Sequence, residues 1–88
     1  MDRDAFARQL KADGFTETVT VAREAGAMLG THTHPFEARA LVLQGELEIC
    51  VDGQPRRYAS GDVFHLQAHC PHEETYGPQG VTYLVGRK

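Results

Sequence analysis

At 88 residues and 9.7 kDa the chain has room for one domain, and a domain this short buries only about 60 to 65% of the surface its unfolded form exposes. Hydrophobic residues make up 41% and charged residues 24%, which excludes disordered, collagen-like and membrane-spanning classes. Nine Lys and Arg against twelve Asp and Glu leave a net charge of −3, so no basic surface is present to neutralise a run of phosphates, and neither nucleic acid nor membrane is an expected partner.

In chain order, residues 1–14 read as a short helix. Ala5, Phe6 and Leu10 recur at roughly helical spacing, Asp2 and Asp4 can cap or charge its start, and Gly14 stops it. From Thr16 the period changes to two, with Thr16, Thr18 and Thr20 alternating with Glu17, Val19 and Val21. Short strands punctuated by glycines fill residues 16–88, and Asp52-Gly53 is a hairpin dipeptide between LEICV and PRRY. The predicted class is all-β, a small antiparallel sandwich or barrel with one N-terminal helix in a single domain over 1–88.

Two strands carry further information. In GELEICV, Leu47, Ile49 and Val51 share one face while Glu46, Glu48 and Cys50 share the other, so that strand is half exposed. Ala40 to Leu43 is apolar on both faces and needs a cover on each side. A symmetric homodimer would supply that cover, and the alternative is the N-terminal helix. The start MDRDAFARQL lacks the apolar run of a signal peptide, which with only Cys50 and Cys70 gives a cytoplasmic, disulfide-free expectation.

The five histidines form two groups, His32 and His34, then His65, His69 and His72. On an extended backbone His32 and His34 project from one face about 7 Å apart, and two neutral imidazoles converging in this way can share a metal at ~2.0 to 2.1 Å. An isolated H-x-H is weak on its own. A return strand carrying His72 after Pro71 would add a third ligand and leave an open position for water, dioxygen or substrate.

At this point the chain resembles the cupin superfamily. Its first motif, G-x5-H-x-H-x3,4-E-x6-G, is met by Gly26, His32, His34 and Gly45, and its second motif begins at Gly61 and places its metal-binding histidine on His72. The resemblance spans Thr16 to Lys88 and implies a small jelly-roll β-barrel of the RmlC-like kind, often dimeric, holding a divalent metal (Fe, Zn, Ni or Mn) through His32, His34 and His72. The departures are specific. Ala38 stands where the family's carboxylate ligand belongs, and Gln67, His69 and Tyr76 replace the second motif's proline, glycine and asparagine.

Several residues can fill the missing carboxylate's role. Glu37 is adjacent but alternates to the opposite face, and reaches a metal only across a bulge. Glu74, two residues from His72, can point inward as a ligand or as a partner that orients a histidine. Cys70, on the same face if extended, is a competent soft ligand or else a small buried side chain. His69, in a glycine's place, is expected at positive φ as a ligand or pocket-rim residue. His65 falls on the outer face.

Two functions follow. One is a metalloprotein with three His ligands, the resemblance permitting dioxygenase-like chemistry, with Glu74, Tyr76 or His69 as candidates for acid or base work. The other is a non-catalytic module that binds or senses a small molecule on the same scaffold. No phosphate loop or nucleophile motif adds a further catalytic class.

Overall fold

The computed structural model describes residues 1–88. Helix α1 (Arg3–Ala12) is followed by six strands, β1 (Glu17–Arg23), β2 (Met28–His32), β3 (Ala38–Val51), β4 (Gln54–Ala59), β5 (Val63–Leu66) and β6 (His72–Arg87). The helix starts where its sequence allows. The Asp2 carboxylate accepts the Ala5 N–H at 2.7 Å, Asp4 lies in the first turn and Lys11 in the last, satisfying an orphan donor and complementing the helix dipole.

All six strands pair antiparallel in one sheet built on the two longest. The first half of β3 pairs with β5 and the second half of β6, and β6 then pairs with β1. The second half of β3 pairs with β4 and the first half of β6, which in turn pairs with β2. Two four-stranded layers therefore share the two long strands. The predicted all-β class with one helix holds, but the barrel is not closed, because β1 and β2 pair only with β6 and β4 and β5 pair only with β3.

The long strands turn the corner between layers at glycine. Residues 77–80 of β6 lie between the pairs Leu47↔Tyr76 and Gly45↔Val81, opposite Glu46 alone. A Cβ on Gly45 (φ 76°) would sit 2.1 Å from the Gly80 carbonyl oxygen, and one on Gly80 (φ 73°) would sit 2.4 Å from that of Arg23. Backbone meets backbone there, so no other residue fits. At the β3–β4 hairpin Asp52 and Gly53 both have positive φ (52° and 75°) between the paired Val51 and Gln54, as the Asp-Gly dipeptide predicts.

Two apolar clusters lie on opposite sides of the β3–β6 pair. Between the layers, Ala38, Ala40, Val42, Leu47, Ile49, Phe64, Tyr76, Val81, Tyr83 and Val85 form the main core. On the outside, Leu41 and Leu84 pack with Phe6, Leu10 and Phe15. The second cover for Ala40 to Leu43 is thus α1 of the same chain, so this stretch does not call for the second subunit that was expected to cover it. Full burial of each such side chain is worth roughly 1.5 to 3 kcal/mol.

Candidate metal centre

The pairing of β2 with β6 assembles the site. His32 is the register partner of His72, so His72 lies beside His32 on a neighbouring strand rather than across a barrel. Alternation along β6 turns Glu74 and Tyr76 to the same inner face; His72, Glu74 and Tyr76 are 2%, 6% and 4% exposed. His34, just beyond β2, stacks on Phe36 with centroids 5.0 Å apart. The three imidazole centroids are separated by 4.2 Å (His32–His72), 4.9 Å (His32–His34) and 5.4 Å (His34–His72). One donor atom from each of His32, His34, His72 and Glu74 lies within 4.8 Å of the others.

Hydrogen bonds fix which ring nitrogens face the centre. His32 Nδ1 is 2.7 Å from the Gly30 carbonyl and His72 Nδ1 is 2.9 Å from that of Cys70. A carbonyl only accepts, so both Nδ1 atoms carry hydrogen and, in neutral rings, both Nε2 atoms present lone pairs. Those lone pairs meet a carboxylate: Glu74 Oε2 is 3.2 Å from His72 Nε2 and 3.3 Å from His32 Nε2. His32 Nε2 is buried without a hydrogen-bond partner. Acceptors crowded at this distance need a proton or a cation between them. Ligand atoms that share one ion at ~2.0 to 2.2 Å are about 2.8 to 3.6 Å apart; the Glu74 contacts to His32 and His72 match that spacing, and with His34 the four donors form a group within 4.8 Å that could hold a divalent metal.

Electrostatics around the cluster agree. Burial, then the neighbouring His32 and His72, hold the His34 imidazole below its usual range and so in the neutral, ligating form. Tyr76 donates its hydroxyl to Glu74 Oε1 at 3.2 Å; burial, then the Glu74 charge, push that phenol up to about 12. Tyr76 therefore serves Glu74 as a donor and keeps its proton at neutral pH.

The other candidates lie elsewhere. His69 has φ 62° as its glycine position predicts, its side chain is exposed, and its backbone N–H donates to the His34 carbonyl at 2.7 Å. It positions His34 through the main chain while its imidazole stands outside the four-residue cluster. Glu37 is bonded to His65 Nε2 at 2.5 Å on the outer surface, which accounts for both residues. Cys70 is half-buried with its Sγ turned to the Pro71 carbonyl, and both cysteines are free. Ala38 lines the cavity without contributing a donor.

A cavity of about 250 Å³ opens from the cluster. Phe36, Phe64, Leu66 and Val85 give it apolar walls, and Arg23 and Arg87 also line it. Neither arginine stood out in the sequence. The signal was the alternation itself: Val81, Tyr83 and Val85 face inward, so Arg87 does too, and Arg23 follows Val19 and Val21 in the same way.

The family model described as Cupin domain matches residues 19–76. No functionally curated protein matches the sequence. Among solved structures, the chain is 26% identical to an RmlC-like cupin from Shewanella frigidimarina (TM-score 0.69, covering 80% of this chain and 62% of that one). It is 27% identical to KdgF from a Halomonas species (TM-score 0.66, 81% and 67%). It is also similar in fold, at 18% identity, to a cupin superfamily protein from Desulfitobacterium hafniense (TM-score 0.65, 81% and 77%). The chain thus spans about three-fifths to three-quarters of the length of these three structures.

Proposed function

The chain belongs to the cupin domain family, and from that premise we propose that it binds a divalent transition metal through His32, His34, His72 and Glu74 and uses it to hold a small molecule in the adjoining cavity. The observation that carries this reading is the orientation of His32 and His72, each tied back through Nδ1 so that Nε2 faces the Glu74 carboxylate. Glu74 takes the part of the carboxylate missing at position 38, delivered from β6 instead of β3. Three imidazoles and one carboxylate suit zinc, iron, nickel or manganese. When bound, the ion would supply Lewis acidity at the inner end of the cavity.

The chain's own residues orient the ligand set. Phe36 packs against His34, and Phe64, Leu66 and Val85 give the cavity apolar walls. Outside the four donors, the titratable groups lining the cavity are Arg23, Tyr83 and Arg87. Burial raises the Tyr83 phenol, with Glu74 and Tyr76 adding to it, so it keeps its proton at neutral pH, and a guanidinium has no acceptor to offer. Outside the ligand set, then, no general base lines the cavity, which favours ligand binding over base-dependent turnover. A homodimer and a cytoplasmic setting are compatible with this reading and not required by it.

Metal analysis of tag-free protein prepared without chelator tests the proposal. One equivalent of bound metal is expected, lost on replacing His32, His34 or His72 by Ala. Sub-stoichiometric metal unaffected by those changes overturns it. Dioxygen consumption by the iron-loaded protein would convert the binding reading into the dioxygenase-like one.

A further inference from the structure

The cavity wall carries two guanidinium groups, on Arg23 and Arg87, against one carboxylate, on Glu74. Arg87 gives Nη1 to Glu17 at 3.1 Å and stacks its guanidinium 4.9 Å above the Phe36 ring. Its Nε is nonetheless buried with no hydrogen-bond partner, an unusual state for a donor in a folded protein. Arg23 has no carboxylate within ion-pair distance. It lies near Tyr76 and Tyr83: a side-chain hydrogen bond and then its charge act to lower the Tyr76 pKa, and its charge that of Tyr83, against the effect of burial. The register sets Glu17 beside Arg87 and Arg23 beside Val81, so the arginines flank the cavity from opposite ends of β1, with apolar wall between.

From this arrangement we infer that the cavity is built for a small organic anion, a carboxylate on an apolar body. It rests on the reading of this cavity as the working site of the protein. The walls take the apolar body, and Arg23, which has no carboxylate partner, supplies the charged donor for the carboxylate, which accepts from guanidinium more strongly than from any neutral group, while Arg87, held by Glu17, adds positive charge at the other end of the cavity. A cavity of about 250 Å³ has room for a body of about the size of one aromatic ring with its acid group. A neutral ligand would leave Arg23 without an anionic partner, and a cationic one would be repelled.

Benzoate, benzamide and benzylammonium share a ring and differ in charge. Their binding to chelator-treated protein is followed by NMR, through the cavity amides and the Nε–Hε resonances of Arg23 and Arg87. Benzoate is expected to bind about tenfold more tightly than benzamide, with benzylammonium weakest, and the preference should fall below about threefold in Arg23→Gln while Arg23→Lys retains most of it. Absence of benzoate-induced shifts, equal binding of benzoate and benzamide, or a preference unchanged in both Arg23→Gln and Arg87→Gln overturns the inference. Zinc titration of the same samples separates the two readings. Anion preference without zinc binding sinks only the metal centre, and zinc binding without anion preference sinks only this inference.

Discussion

Glu74 is under opposite demands in the metal-free and metal-bound protein. Without an ion its carboxylate faces imidazole lone pairs at 3.2 and 3.3 Å, whereas with one it supplies the negative charge in the set. Glu74→Gln should separate these effects. At pH 8, where an ordinary imidazole is neutral, the amide can donate to His72 Nε2 and remove the conflict, so metal-free protein should gain about 1 to 2 kcal/mol. Zinc affinity should fall by at least the 10- to 100-fold seen when even an outer partner of a ligand is lost. Thermal melts in chelator and competition titrations read the two signs, and a variant that loses stability and keeps its affinity would refute the assignment. The His34 shift gives the pH dependence. Its folded pKa is depressed by burial, so the unfolded chain binds more protons near pH 6.5 and below. The His34 contribution to stability is complete above that pH and declines as pH falls through 6.5 toward the folded value. Protons also compete for the ligand nitrogens, so zinc affinity should drop as pH falls through about 6. Affinity unchanged from pH 8 to 5 would count against imidazole ligation.

α1 matters because the strands that carry the site are apolar on both sides. Ala40 and Val42 of β3 and Tyr83 and Val85 of β6 face the inner core, while Leu41 and Leu84 face Phe6, Leu10 and Phe15. Leu10 is fully buried, so Leu10→Ala should cost about 2 to 5 kcal/mol, measured by urea denaturation at constant m value. Zinc affinity should change little provided the variant is folded, since no site residue touches the helix cluster. This element also shows what was legible. The strand periods and the Asp-Gly hairpin follow from local residue pattern, whereas the positive φ at His69 and the approach of His72 to His32 and His34 were legible only through the resemblance to the cupin motifs, because they depend on how distant segments pair. The helix as cover was one of two readings, because an amphipathic segment and a subunit supply the same apolar surface and the sequence does not say which one docks. Closure of the barrel was over-read, since pairing of the outer strand edges is a long-range property absent from any single strand. Arg23 and Arg87 were missed for another reason. Charged residues at strand ends look solvated unless alternation is followed to the last residue, and both lie at such ends.

For the whole molecule, size links the site to stability. The accessible surface of 5305 Å² is close to the roughly 5,100 Å² expected of a compact 9.7 kDa monomer, so the chain folds without large surplus surface. Yet its core is small, and single domains of this length keep only a few kcal/mol of net stability. The site bridges β2 and β6 at the layer opposite α1, where β2 is largely exposed and holds few apolar contacts of its own. An ion held by His32 and His34 on one side and His72 and Glu74 on the other would fasten that edge. A ligand at 100 times its dissociation constant adds about 2.7 kcal/mol to a state that alone binds it, and in a domain of 60 to 100 residues each kcal/mol moves the melting point by about 4 to 8 °C. Saturating zinc should therefore raise the melting temperature by about 10 to 20 °C, and His72→Ala should abolish the increase. Hydrogen exchange should localise the gain, with zinc slowing the β2 and first-half β6 amides more than those of β4. Uniform protection across all six strands would instead mean that the ion acts on global unfolding alone, and no protection of β2 would place the ion outside the cluster.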